Sequence, residues 1–189
     1  MIREQALQLV RDYVKSESLI KHMLSVEAAL RFYARKLEQD EETWAITGIL
    51  HDYDWEIHPT IEEHPLRGLQ LLRENGVSEE ILEAIAGHAD YTGVPRTTLL
   101  AKALYACDEV TGLITAVALV RPSRSLHDLT PKSVKNKWKD RSFAAGADRT
   151  IIEAAAEEFE VELWQHVENV IIAMRSIARD LDLDGNIKN

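Results

Sequence analysis

The chain has 189 residues, 46% of them hydrophobic and 29% charged, with a formal net charge of −10. That balance excludes a disordered chain, and the acidic excess argues against a general nucleic-acid binder and against duplex nucleic acid as a partner. One cysteine, Cys107, excludes an intrachain disulfide and a thiolate zinc cluster, and is consistent with a reducing compartment.

The first residues, Met1 to Leu7, show no basic segment followed by an apolar one, so no signal peptide is expected. The longest apolar stretch, around Leu113 to Val120, is read as too short to span a bilayer. The expectation is a soluble, cytoplasmic protein with no membrane partner.

Apolar spacing of the 3.6-residue type predicts helices over 2–15, 19–38 and from Asp40 to Leu50, the last opened by the acidic run Asp40-Glu41-Glu42. An irregular stretch from Tyr53 to Glu63 follows. Pro65 reads as the first-turn proline of a helix that stops at Asn75-Gly76. Ser78 reads as the N-cap of the next helix, which ends near His88. A long apolar helix over 97–120 precedes a loop at 121–131 and a short basic helix at 131–139. Two more helices fit 148–158 and 160–181, and the tail from Asp182 to Asn189 reads as polar and frayed. No alternating strand pattern, repeat or linker is evident. The reading is one all-α domain of about eight helices.

Three histidines sit in apolar helical company: His22 after Leu19-Ile20, His51 at the end of the Trp44 helix, and His88 at the end of the Ile81 helix. Asp108 lies in Leu104-Tyr105-Ala106-Cys107-Asp108, inside the most apolar helix. A carboxylate facing inward there needs a partner, a proton or a cation. Imidazole nitrogen and carboxylate oxygen together suit iron, manganese, zinc, cobalt or nickel better than calcium. The adjacent pair His51-Asp52 can reach one ion only where the helix ends, because neighbours on a helix point about 100° apart.

The order His22, His51-Asp52, Asp108 resembles the HD superfamily of metal-dependent phosphohydrolases. Leu50-His51-Asp52 is similar to the approach to its signature dipeptide, and His64-Pro65-Leu66-Arg67-Gly68 to its His-Pro-x-x-Gly element. Ala84-Ile85-Ala86-Gly87-His88 and the segment Thr98 to Asp108 resemble HD proteins that hydrolyse diadenosine tetraphosphate. The resemblance implies a single HD-type helical bundle over 1–189, with a core at about 19–118, a basic loop and short helix at 121–141, and C-terminal helices at 148–181. It implies that His22, His51, Asp52 and Asp108 hold one divalent ion, with His64 and His88 completing a second site bridged by Asp52. His64 follows Asp52 by only twelve residues, which leaves His58 as an alternative. Asp52 and His51 are the expected catalytic pair, with one or two ions of iron, manganese, zinc, cobalt, nickel or magnesium. Asp54 and Glu109 are candidate partners for the imidazoles.

The segment from Arg121 to Arg141 holds seven basic and two acidic residues, a net +5 on an acidic chain. Arg121, Arg124, Lys132 and Lys135, together with Arg67, are therefore the expected contacts for a small phosphorylated substrate such as a nucleotide. The alternatives are an HD-type di-iron oxygenase and a non-catalytic metal- or nucleotide-binding module. His127 and His166 are read as lying in polar or mixed surroundings, without a chemical role. The apolar C-terminal helix fits packing on the core or on a second subunit, so a monomer or homodimer is expected.

Overall fold

Capping side chains set where most of the helices begin in the computed structural model, which describes residues 1–185. Helix α1 spans Arg3–Tyr13 and α2 spans Glu17–Lys36; Ser16 Oγ accepts the Leu19 amide and starts α2. Asp40 accepts the Glu42 amide and starts α3 (Glu41–Leu50). Two short helices follow, α4 (Leu69–Glu74) and α5 (Glu79–Ala86), and then one 3-10 turn at Asp90–Thr92. Thr98 caps the long helix α6 (Leu99–Val120), and α7 spans Pro131–Trp138 with its proline at the first turn. Asp148 and Glu162 cap α8 (Arg149–Glu158) and α9 (Leu163–Arg175).

Helices α2 and α6 form the centre. α2 packs on α3, α6 and α9, α1 lies against α3, and α6 also meets α5, α7 and α8. Their shared interior holds Met23, Val26, Leu30, Ile49, Leu104, Val110 and Ile114, all essentially removed from water. Among the described residues there is no strand, only an isolated antiparallel bridge between Ser125 and Asp184.

The tightest approach lies between α2 and α3. A Cβ added at Gly48 would stand 2.7 Å from the Glu27 backbone, so only glycine lets α3 lie this close. That closeness is what brings the end of α3 beside His22. Gly48→Ala is expected to destabilise the fold by about 1–3 kcal/mol, which lowers the melting temperature by several degrees. An unchanged melting temperature would mean that the approach is not tight. Glu27 itself is buried on α2, where it accepts from Arg3 and Arg31. Removing either arginine leaves a carboxylate short of partners in a dry place.

Among the described residues nine α-helices form, which fits the expected bundle of about eight. Three other expectations change. The Pro65 helix begins only at Leu69, because residues 60–68 fold as successive turns that direct His64 inward; His64 N donates to Thr60 O and Gly68 N to Pro65 O. Ser78 stands at the N-cap of α5, but its hydroxyl makes no capping bond. The segment after α9 is packed rather than frayed: Leu181 and Leu183 are buried, and Leu126 N donates to Leu183 O at 2.8 Å. The rest of the expected tail, residues 186–189, lies outside the described residues. As a whole, α6 is long and apolar enough to cross a membrane by length and composition, but most of it is buried among its neighbours.

Candidate metal centre

Five elements converge on one point. α2 carries His22, the end of α3 carries His51 with Asp52 in the turn beyond it, and the turns before α4 carry His64. His88 follows α5, and α6 carries Asp108. His22 Nε2 lies 3.2 Å from His51 Nε2 and 2.9 Å from Asp108 Oδ1. His64 Nε2 lies 3.2 Å from His88 Nε2. Asp52 stands between the two groups and divides its carboxylate. Its Oδ2 is 3.6 Å from His22 Nε2 and 3.5 Å from His51 Nε2. Its Oδ1 is 3.2 Å from His64 Nε2 and 3.5 Å from His88 Nε2.

The far side of each imidazole decides which nitrogen carries hydrogen. His51 Nδ1 meets Gly48 O at 2.9 Å and His88 Nδ1 meets Ile85 O at 2.6 Å; a carbonyl can only accept. His64 Nδ1 meets Asp54 Oδ1 at 2.8 Å. Thr111 donates its hydroxyl hydrogen to Asp108 O, which leaves Thr111 Oγ1 to accept from His22 Nδ1 at 3.4 Å. All four rings therefore donate through Nδ1 and turn Nε2 lone pairs toward one another and toward two carboxylates. Lone pairs facing at 3.2 Å repel unless a cation or protons stand between them.

This donor set fits divalent ions. Nitrogen ligands sit about 2.0–2.1 Å from zinc, so two ligands on one ion lie roughly 3–4 Å apart. His22, His51 and Asp108 form one such group, and Asp52, His64 and His88 the other. Without a cation, the same geometry draws in protons. Burial disfavours the charged ring of His51, but Asp52 and Asp108 overcome that and raise it to about 9. His64 is raised to about 9 against the same burial by Asp52 and Asp54. Burial also opposes the Asp52 and Asp108 carboxylates, yet the surrounding imidazoles hold both well below the usual range.

Asp54, fully buried, orients His64 and leaves its Oδ2 without a partner among the described residues. A Cβ at Gly68 would stand 2.7 Å from this carboxylate, and the Tyr53 hydroxyl donates to Gly68 O. The glycine of the His-Pro-x-x-Gly element thus makes room for the residue that fixes its histidine. Trp55 completes the enclosure, edge-on to His64 at 4.9 Å between ring centres. Gly68→Ala is expected to displace Asp54 and weaken binding of one ion about 10–100-fold. Calorimetric metal titration checks this, and an unchanged affinity would contradict the role given to Asp54.

A cavity of about 580 Å³ opens over the cluster. Trp55, Tyr91 and Tyr105 line it, together with Ala144, Gly146, Ala147 and Ile151. Arg149 ties the 143–147 segment together: it is buried and donates to Ala144 O, Ala147 O and Phe143 O. Glu109 lies on the wall, where burial and neighbouring Asp108 push its carboxyl up to about 7.

The structure places the expected residues unevenly. His22, His51, Asp52, His64, His88 and Asp108 come together, and His58 stays outside the two groups. None of the five expected substrate cations lines this cavity. Arg67 pairs with Glu63, and Arg121 with Asp128 and Ser133. Lys135 lies over the Trp164 ring at 5.0 Å, and Lys132 is exposed on α7. Arg124 lines a neighbouring cavity instead. The basic run is a solvated, locally paired surface and does not fold over the cluster. Glu109 does not hold an imidazole either; it accepts from Asp148 N at 3.3 Å. His166 is a core residue, not one in mixed surroundings. It donates through Nε2 to Ala106 O and accepts the Tyr33 hydroxyl, and burial pushes its pKa down to about 4. The pairing of Tyr33 with a residue 133 positions away leaves no local signal in the sequence.

The model of the HD domain family matches residues 19–113, half of the chain. This chain belongs to the HD domain family. The family is a metal-dependent, hydrolase-type superfamily, and the His/Asp groups of this HD-domain protein could hold a metal. Curated relatives include ribonuclease Y of Oleidesulfovibrio alaskensis (strain G20) and of Nitratidesulfovibrio vulgaris (strain DP4), each 30% identical over 98 residues. The match covers 51% of this HD-domain chain but only 18% of either relative. No solved structure matches the chain.

Proposed function

We propose that this HD-domain protein is a two-ion phosphohydrolase acting on a nucleotide or another small phosphorylated molecule. The observation that carries the reading is the divided Asp52 carboxylate, with one oxygen turned to His22 and His51 and the other to His64 and His88. Bound divalent ions there would activate water near neutral pH and neutralise charge on a phosphoryl oxygen. The chain's own part is to hold four neutral imidazoles in one tautomer, through Gly48 O, Ile85 O, Asp54 and Thr111, and to shape the cavity above them. Trp55 and Tyr91 offer exposed aromatic surface beside the cluster, whereas Tyr105 is buried under Arg96 and bonded to Asp90.

The size of the cavity favours a small molecule or a single-stranded end over a duplex. The name of the relatives, ribonuclease, supports a phosphoester as the bond attacked. The test is a panel of phosphomonoesters and phosphodiesters incubated with manganese- or zinc-loaded protein. Phosphate or alcohol release that ceases on chelation and returns with metal is the expected outcome. Oxygen uptake without phosphoester cleavage would overturn the reading.

A further inference from the structure

A second cavity, of about 510 Å³, adjoins the first, and His22 and Gly112 line both. Asp108, Gly112, Thr115 and Leu119 follow one another at helical spacing down one face of α6. At 1.5 Å per residue that face runs about 16 Å from the cluster to Leu119. Gly112 stands where the two linings meet. Its backbone is ordinary helix, so no unusual torsion requires glycine, and glycine inside a helix costs about 1 kcal/mol relative to alanine. A Cβ added there would meet nothing within 4 Å. The space beside Gly112 is therefore open, at a position that both chambers share.

The far chamber has built walls. Leu181 and Leu183 are buried within it, and the segment carrying them is tied down by Leu126 N to Leu183 O and by Lys21 Nζ to Asp182 Oδ2 at 2.5 Å. Leu119 closes the apolar side. Lys21 and Arg124 stand among its lining, whereas among the described residues no lysine or arginine lines the chamber over the cluster. A volume of this size is typical of a small-molecule site.

We propose that the far chamber is a specificity subsite for the planar, ring-bearing part of a phosphoester whose phosphoryl group lies at the His/Asp cluster. The substrate would pass from one chamber to the other beside Gly112, and Thr115, Leu119, Leu181 and Leu183 would receive the ring. The proposal rests on the phosphoryl-binding reading above.

The test uses the full, manganese-loaded chain and two non-hydrolysable probes, methylphosphonate and 1-naphthylphosphonate, titrated calorimetrically. The naphthyl probe is expected to bind about tenfold tighter or more, as burial of its ring predicts. Leu119→Glu, at a position 43% exposed that lines only the far chamber, should remove most of that advantage while leaving methylphosphonate affinity unchanged. Gly112→Leu, which intrudes on both chambers, should also remove the advantage. Equal binding of the two probes by the unmodified protein, or an advantage that survives both variants, would overturn the subsite. Because both probes resist hydrolysis, the two readings fail separately. A naphthyl advantage lost in the variants, on a protein that cleaves no phosphoester, supports the subsite and overturns the hydrolase.

Discussion

Asp52→Ala is expected to cost the protein both ions, not one. Among the described residues, Asp52 is the side chain with one oxygen turned to each group of imidazoles. Its removal also brings four lone-pair nitrogens together with less negative charge to offset a cation. Losing a mere supporting partner of a ligand weakens metal binding about 10–100-fold, and a shared ligand should exceed that at each ion. Metal analysis after gel filtration should therefore show well under one ion per chain. Any metal-dependent turnover should fall by more than about a thousandfold, roughly 4 kcal/mol in barrier. His22→Ala and His88→Ala serve as the comparison, because each touches one group only and should retain the other ion. An Asp52→Ala protein that still held two ions would show that the divided carboxylate is incidental.

Chelation should lower the melting temperature markedly, and more so at high pH. An ion present at a thousand times its dissociation constant stabilises the fold by about 4 kcal/mol, which for a chain of this size is roughly 8–16 °C. The pH dependence follows from His51 and His64, both raised to about 9 in the metal-free cluster. Their unfolded value is near 6.5, so the folded state binds the protons more tightly. That contribution is complete below about 6.5 and fades as the pH rises to about 9. Metal-free protein should accordingly melt lower at pH 9 than at pH 7. Metal-loaded protein, whose imidazoles are already deprotonated, should lack this loss, so the gap between the two forms widens with pH. A metal-free melting temperature that rises from pH 7 to pH 9 would contradict the convergence of these rings on one cluster.

The two predictions rest on features that were unequally legible in the sequence. His22, His51, Asp52 and Asp108 stand out because polar groups in apolar helices need an explanation, and the four occur in a known order. The helices are legible for a related reason: α2, α3, α6 and α9 each show an apolar face of regular spacing. What the sequence hides is pairing over distance. The run from Arg121 to Arg141 looks like an anion site until Arg121 is seen on Asp128 and Lys135 on the Trp164 ring. Asp54 could be named only as a candidate; its bond to His64 depends on turns that no periodicity describes. Gly48, Gly68 and Gly112 look alike as scattered glycines. The first admits a backbone, the second a carboxylate, and the third leaves open space. The amphipathic pattern of α9 says which face is apolar but not that a polar partner for His166, Tyr33, waits in the core.

The central claim is a pair of ions bridged by Asp52. A crystal structure of the manganese- or zinc-loaded protein, with an anomalous difference map recorded at the metal edge, tests it most directly. The account predicts two peaks, one against His22, His51 and Asp108, the other against His64 and His88, with Asp52 touching both. A single peak, or peaks away from these six residues, would contradict it.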